Sequence, residues 1–345
     1  MSAFHSGWSA RRRFTISSTR PSWYPCTDDR KVTATMGSHR RTGATHINIA
    51  RRSIRGKALD AESLPMSVRC FVASEADEAS RNQRDALLAL ASWKSDAAFG
   101  GRTSWRWRDT VIVTIPEHHL YRDHLDRALE GAFGEPVDLV VYLSKHVSES
   151  RRPSLTVHPI GNPRGAEFGG QPETLVPSAP RWMTAALRGL RKEAKGLPYN
   201  VTFEATHHGP YLTKPTFYIE QGSTETEWAD LAASRAIARV LLALEQVDAP
   251  IAIGLGGGHY VPRHTDLALQ RRVAFGHLLA AYALEGASGR AIDQAVERTK
   301  GATMAYVHRK SLAKPDVRAF EERLEKLGLR IVEEADLPTD REDET

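Results

Sequence analysis

From Met66 onward, short apolar runs rich in Val, Ile, Phe and Tyr alternate with longer amphipathic stretches, the pattern of an α/β domain. The short runs predict strands over 68–73, 108–115, 137–143, 154–158, 200–206, 216–220, 250–255, 303–308 and 329–333. The amphipathic windows predict helices over 77–92, 120–131, 180–195, 226–246, 290–298 and 315–327. Residues 266–284 fit two states: the first half reads as helix, and 273–284 as either helix or buried strand. Residues 144–178, with five prolines and four glycines, read as a long irregular loop. A loop of that length inside a compact domain is either functional or disordered.

Residues 1–65 show no sustained apolar period, and they change the reading of the charge. They hold 12 Lys+Arg against 4 Asp+Glu, a net +8, whereas the rest of the chain holds 35 against 38, a net −3. Too little apolar surface is present there to offset the entropy of ordering. Three readings stand: upstream translated sequence, favoured because Met66 directly precedes the first strand, a nucleic-acid-binding arm, or a targeting segment. The organisation expected is a disordered basic extension over 1–65, a single α/β domain with a mixed sheet flanked by helices over 66–335, and a flexible acidic tail over 336–345.

No apolar stretch approaches the roughly 20 residues a bilayer requires. Two cysteines, Cys26 and Cys70, make neither a disulfide scaffold nor a cysteine-based zinc finger. A cytoplasmic monomer with no membrane partner is expected.

Chemistry concentrates in two histidine motifs at predicted strand ends, where α/β sheets place catalytic groups. The first is FEATHHGP, residues 203–210. Alternation turns Val201, Phe203 and Ala205 to one layer and Thr202, Glu204 and Thr206 to the other, and the chain exits the sheet with His207 and His208. The second is GLGGGHYVPRHT, residues 254–265. Its glycines allow close backbone approach and an anion-binding nest. The spacing fits neither a dinucleotide fingerprint nor a P-loop, and His259, Tyr260, Arg263 and His264 make it a candidate binding loop. TVHPIGN, residues 156–162, adds His158 near Arg164, and His146 ends the preceding strand. His118, His119 and His124 read as structural. A metal could draw on His207 or His208, His259 and His264 with Glu204, although no compact zinc motif is present.

Together these stretches resemble the archaeal and plant-type (GEKO-like) D-aminoacyl-tRNA deacylase family. The matching segments are 203–210, 219–228, 254–265, 156–162 and YVHRKS at 306–311, so the resemblance runs from about Val68 to Val332. It implies hydrolysis of the ester joining a D-amino acid to the 3′-terminal ribose of tRNA. It also implies a fold similar to peptidyl-tRNA hydrolases and nucleoside phosphorylases, and zinc, for which His208, His259 and His264 are the expected ligands. Two rival readings are a noncatalytic tRNA-binding protein and a nucleoside phosphorylase-like enzyme.

For such an ester, His207 or His208 is expected to activate water, with Thr206 or Glu204 orienting the ring. The amides of Gly256, Gly257 and Gly258 would stabilise the oxyanion. His259 would protonate the ribose oxygen or hold a metal-activated water, while Tyr260, Arg263 and His158 contact substrate. For the polyanion, Arg188, Lys192 and Lys195 share a helix face with Arg181 and are the expected phosphate contacts.

Overall fold

The computed structural model describes residues 67–285 and 289–340, so the expectations for 1–65 lie outside the described residues. The first half of the chain runs β1 (Val68–Ser74), α1 (Glu78–Leu90), β2 (Lys94–Phe99), β3 (Arg102–Trp107), β4 (Thr110–Ile115), α2 (Leu125–Phe133), β5 (Val137–Val147) and β6 (Ser154–Pro159). It continues through β7 (Gly161–Asn162), β8 (Thr174–Leu175), α3 (Pro180–Glu193), β9 (Asn200–Phe203), β10 (Thr216–Ser223), α4 (Glu225–Trp228) and α5 (Leu231–Leu242). The last third holds β11 (Ile251–Leu255), α6 (Pro262–Gln270), β12 (Ala274–Leu279), α7 (Ala281–Leu284), α8 (Arg290–Glu297), β13 (Ala302–Val307), α9 (Lys314–Lys326) and β14 (Arg330–Val332).

The expected single α/β domain is what forms. Its mixed main sheet has eight strands in the order β2-β3-β4-β1-β5-β10-β6-β9. The four central strands β4, β1, β5 and β10 are parallel, β6 runs antiparallel to β10, and β9 pairs parallel with β6. A second, parallel sheet is ordered β12-β11-β13-β14. No helix among the described residues is long and apolar enough to cross a membrane.

Alternation along the central strands makes two apolar faces. Phe71, Val141, Ile219, Val157 and Phe203 pack with Leu87 of α1, Met183 and Leu187 of α3 and Ile237 of α5. Cys70, Val72, Val113, Tyr142 and Tyr218 turn the other way, against Leu125 and Leu129 of α2. Asp77 caps α1 by accepting from the Ser80 amide and also holds the Lys145 amide at 3.0 Å. Such a cap contributes about 1 kcal/mol, and here it fixes the far end of β5 as well.

Three sequence expectations are corrected and one that was open is resolved. The helix expected over 226–246 divides at Asp230, whose carboxylate accepts from the Ala232 and Ala233 amides and starts α5 afresh. Residues 266–284 resolve into the end of α6, the buried β12 and α7. Besides the expected strand β6, the stretch read as an irregular loop contains the end of β5 and the short strands β7 and β8. Finally, residues 336–340 are docked: Leu337 is buried, the Pro338 carbonyl takes the Arg272 amide, and Asp340 pairs with Arg188.

Candidate active site

The two sheets meet where the chain leaves β9. The Thr206 amide donates to the Leu278 carbonyl of β12 and the Ala205 amide to the His259 carbonyl, which draws the glycine-rich loop against the strand end. On the main sheet, register places Tyr218 between Tyr142 and His158, and Glu220 between Ser144 and Thr156. One step further Gly222 lies opposite His146, where an added Cβ would fall 2.0 Å from the His146 carbonyl oxygen. The same alternation that buries Phe217 and Ile219 in the helix-covered core therefore sends Tyr218 and Glu220 to the face where the histidines gather.

Glu204 is the hub. Its side chain is fully buried, with Oε1 3.0 Å from His146 Nδ1 and Oε2 3.2 Å from His259 Nε2 and 3.6 Å from His207 Nε2. Glu220 stands behind it, 3.4 Å from His146 Nδ1 and 3.7 Å from His158 Nε2. His146 completes the line, its Nε2 lying 2.9 Å from the Tyr260 hydroxyl. The rings of His158 and His207 are 4.3 Å apart, His207 and His208 4.3 Å, and His207 and His259 4.7 Å.

The charges follow from these contacts. Burial disfavours a charged His146, yet Glu204 and Glu220 together raise it to about 12. Burial would likewise raise both carboxyls, but His146 and His259 hold Glu204 well below the usual range, and His146 with His158 does the same for Glu220. Burial also opposes the charge on His158, which Glu220 nevertheless shifts upward. For His207 burial wins, aided by His158, and lowers the imidazole to about 3; burial and His207 push His208 well below its ordinary value.

These neutral rings have assignable tautomers. His207 Nδ1 lies 2.8 Å from the Ala205 carbonyl and His208 Nδ1 2.7 Å from the Gly209 carbonyl. A carbonyl only accepts, so each Nδ1 carries the proton and each Nε2 keeps its lone pair. His158 Nδ1 faces the Pro159 carbonyl at 3.2 Å, and its buried Nε2 has no hydrogen-bond partner. Both Glu204 oxygens also lack an aligned donor. One ligand atom from each of His158, His207 and His208 lies within 4.8 Å of the others, as holds for the groups Glu204, His207 and His259 and His146, Glu204 and Glu220. His208 adopts a left-handed backbone conformation (φ +45°).

Of the residues singled out from sequence, the structure gathers Glu204, His207, His208, His158 and His259, with Tyr260 at the edge. Others it places elsewhere. The Thr206 hydroxyl faces His277 Nδ1 at 3.0 Å and accepts from the Leu278 amide, so it ties the sheets together. His264 is buried among Phe275, Tyr306 and His308 and does not join a ligand group with His208 or His259. Arg263 pairs with Glu334. The Gly256 amide donates to Leu279 and the Gly257 amide to Ser311 Oγ, so neither is free for an oxyanion; of the three glycine amides only that of Gly258 lacks a partner among the described residues. Arg188 binds the Ala268 and Arg271 carbonyls and Asp340. Lys192 and Lys195 are exposed.

Glu220 and the central place of His146 escaped the sequence reading. A glutamate alternating with Phe217 and Ile219 is the same signal that marked Glu204 between Phe203 and Ala205. Tyr282, whose hydroxyl lies 3.2 Å from His259 Nδ1, carried no signal.

The chain is similar to known proteins over most of its length. The family model described as D-aminoacyl-tRNA deacylase matches residues 133–332. The chain is 41% identical to a D-aminoacyl-tRNA deacylase of Methanosarcina mazei over 276 residues, covering 77% of this chain and 92% of the relative. It is 35% identical to one of Thermococcus kodakarensis over 273 residues, covering 77% and 99%. A crystal structure of a conserved protein of unknown function superposes with a TM-score of 0.74 at 30% identity, covering 79% of this chain and 98% of that one.

Proposed function

The chain belongs to the D-aminoacyl-tRNA deacylase family, and on that premise we propose how its buried Glu204 and surrounding histidines carry the reaction. The protein is a hydrolase that cleaves the ester of D-aminoacyl-tRNA. The observation that carries the mechanistic reading is the 3.2 Å contact between Glu204 Oε2 and His259 Nε2. A carboxylate favours the N–H form of the nitrogen it faces, which leaves the lone pair on His259 Nδ1, toward the partly exposed Tyr282 hydroxyl.

His259 Nδ1 then takes a proton from the attacking water while Glu204 stabilises the imidazolium, and the same proton passes to the departing ribose oxygen. Tyr260 and Glu220 hold His146 in place behind Glu204, so the carboxylate keeps its orientation. His207 and His208 present lone pairs toward the same space. With His158 they fit a zinc ion: three Nδ1 atoms face carbonyls, as in histidines that bind metal through Nε2, and the buried Nε2 of His158 makes no hydrogen bond, its nearest carboxylate being Glu220 at 3.7 Å. When bound, zinc supplies Lewis-acid polarisation.

Purified protein incubated with D- and L-tyrosyl-tRNA tests this. The D ester should be hydrolysed without phosphate, and His259→Asn should lower turnover by two to four powers of ten, about the contribution of a positioned acid or base. Binding of charged tRNA without release of amino acid, or release that requires phosphate, would overturn the reading.

A further inference from the structure

Three aromatic side chains are exposed among the described residues, Tyr121, Phe168 and Tyr282, with 63%, 64% and 49% of their surface accessible. Isolated exposed rings need no explanation. These three are not isolated: Tyr282 lies on the short helix α7, Phe168 on a loop and Tyr121 at the end of a helical turn, and contacts link these segments to one another and to the histidine cluster. The Tyr282 hydroxyl touches His259 Nδ1. Phe168 accepts the Gly209 amide through its carbonyl, one residue beyond His208. Tyr121 lies against Gly169, where an added Cβ would fall 3.3 Å from its ring. A cation accompanies them: exposed Arg164 donates to the Tyr282 carbonyl at 3.3 Å and meets no carboxylate among the described residues.

We infer that Phe168 and Tyr282, with Arg164, form a stacking platform at the mouth of the site for the unpaired 3′-terminal nucleotides of tRNA. This rests on the deacylase reading above. Unpaired bases are held by stacking on accessible aromatic faces, and their phosphates by arginine. Tyr282 touches His259 and Phe168 is hydrogen-bonded through its backbone beside His208, while both side chains are exposed, as a surface for the ribose and bases requires when the ester reaches His259. A buried ring would suit the amino-acid side chain instead. Rigid aromatic rings stack on any base, so the platform positions the acceptor end without reading the rest of the tRNA.

The test is equilibrium binding of the trinucleotide CCA to the full-length protein, together with kinetics on D-tyrosyl-tRNA and on D-tyrosine methyl ester, which has no nucleoside. Phe168→Ala and Tyr282→Ala should each weaken CCA binding and raise KM for D-tyrosyl-tRNA by about tenfold, the scale of one lost base stack. Phe168→Tyr should restore both. Phe168→Ala should leave methyl-ester hydrolysis unchanged. If the wild type deacylates D-tyrosyl-tRNA but the two alanine variants bind CCA as the wild type does, the platform is wrong and the deacylase reading stands. If the wild type binds CCA in the predicted way yet releases no amino acid, the deacylase reading fails instead.

Discussion

His146 Nδ1 lies 3.0 Å from Glu204 Oε1, with both side chains closed off from solvent. Removing one partner of a buried ion pair leaves an uncompensated charge and costs about 3–5 kcal/mol. Glu220 still faces the imidazole at 3.4 Å, so Glu204→Gln should fall at the low end, about 3 kcal/mol. Urea unfolding would read this as a lower midpoint with an unchanged slope. Turnover should drop as well, because His259 loses the carboxylate behind it.

The histidine trio gives a second expectation. If His158, His207 and His208 hold zinc, protein purified without chelator should carry close to one zinc per chain, and His208→Ala should lose most of it. Dialysis against a chelator should abolish deacylation, with zinc restoring it. Full activity of zinc-free protein would remove the metal from the mechanism while leaving Glu204 and His259 in place.

These two expectations differ in how far the sequence foreshadowed them. The motif 203–210 already showed Glu204, His207 and His208 at a strand exit, since alternation survives as far as Phe203. Beyond it the chain stops following the β9 ladder and bonds to β12, so Thr206 faces His277 rather than its neighbouring histidine. Spacing cannot reveal that change of sheet. Nor could it reveal Glu220 meeting His146, which depends on strands distant in sequence pairing side by side. The β2–β3 hairpin was missed for another reason: Lys94, Ser95, Arg102 and Thr103 are exposed at the sheet edge and leave no apolar alternation to find.

Acid stability follows from two histidines away from the cluster. Burial lowers His264 to about 3 and His277 to about 4, against about 6.5 when unfolded. Between these values the unfolded chain binds protons that the folded chain refuses, so stability present above pH 6.5 is lost as pH falls. Each group contributes a slope of about 1.4 kcal/mol per pH unit, hence about 2.7 together between pH 6.5 and 4. The raised His146 adds no slope there, being protonated in the folded protein throughout. Urea midpoints at pH 6.5, 5.5 and 4.5 would measure the loss, and His264→Leu should reduce the slope by about 1.4 kcal/mol per pH unit, with buried His207 and His208 still contributing theirs.

The basic helix α3 separates structural from binding cations. Arg181, Arg188 and Lys192 share a face by spacing, whereas Lys195, expected on the same face, lies beyond the last turn of α3; Arg181 donates to the Ala249 carbonyl and Arg188 to carbonyls at Ala268 and Arg271. Arg188 also pairs with Asp340, so its guanidinium is committed to holding α6 and residues 336–340. Exposed Arg191 and Lys192 are different, since they border a groove of about 1530 Å³ that reaches Tyr260 beside the histidine cluster. Arg188→Gln should therefore lower stability by about 2 kcal/mol and leave the salt dependence of tRNA binding unchanged. Arg191 and Lys192 both changed to Gln should reduce the log–log salt slope by about 1.4 to 1.8, if each neutralises one phosphate. Hydrolysis of D-tyrosine methyl ester should be unaffected, because a phosphate contact does nothing for a substrate without phosphates. An unchanged slope in the double variant, measured between 50 and 200 mM salt, would place the tRNA on another face of the domain.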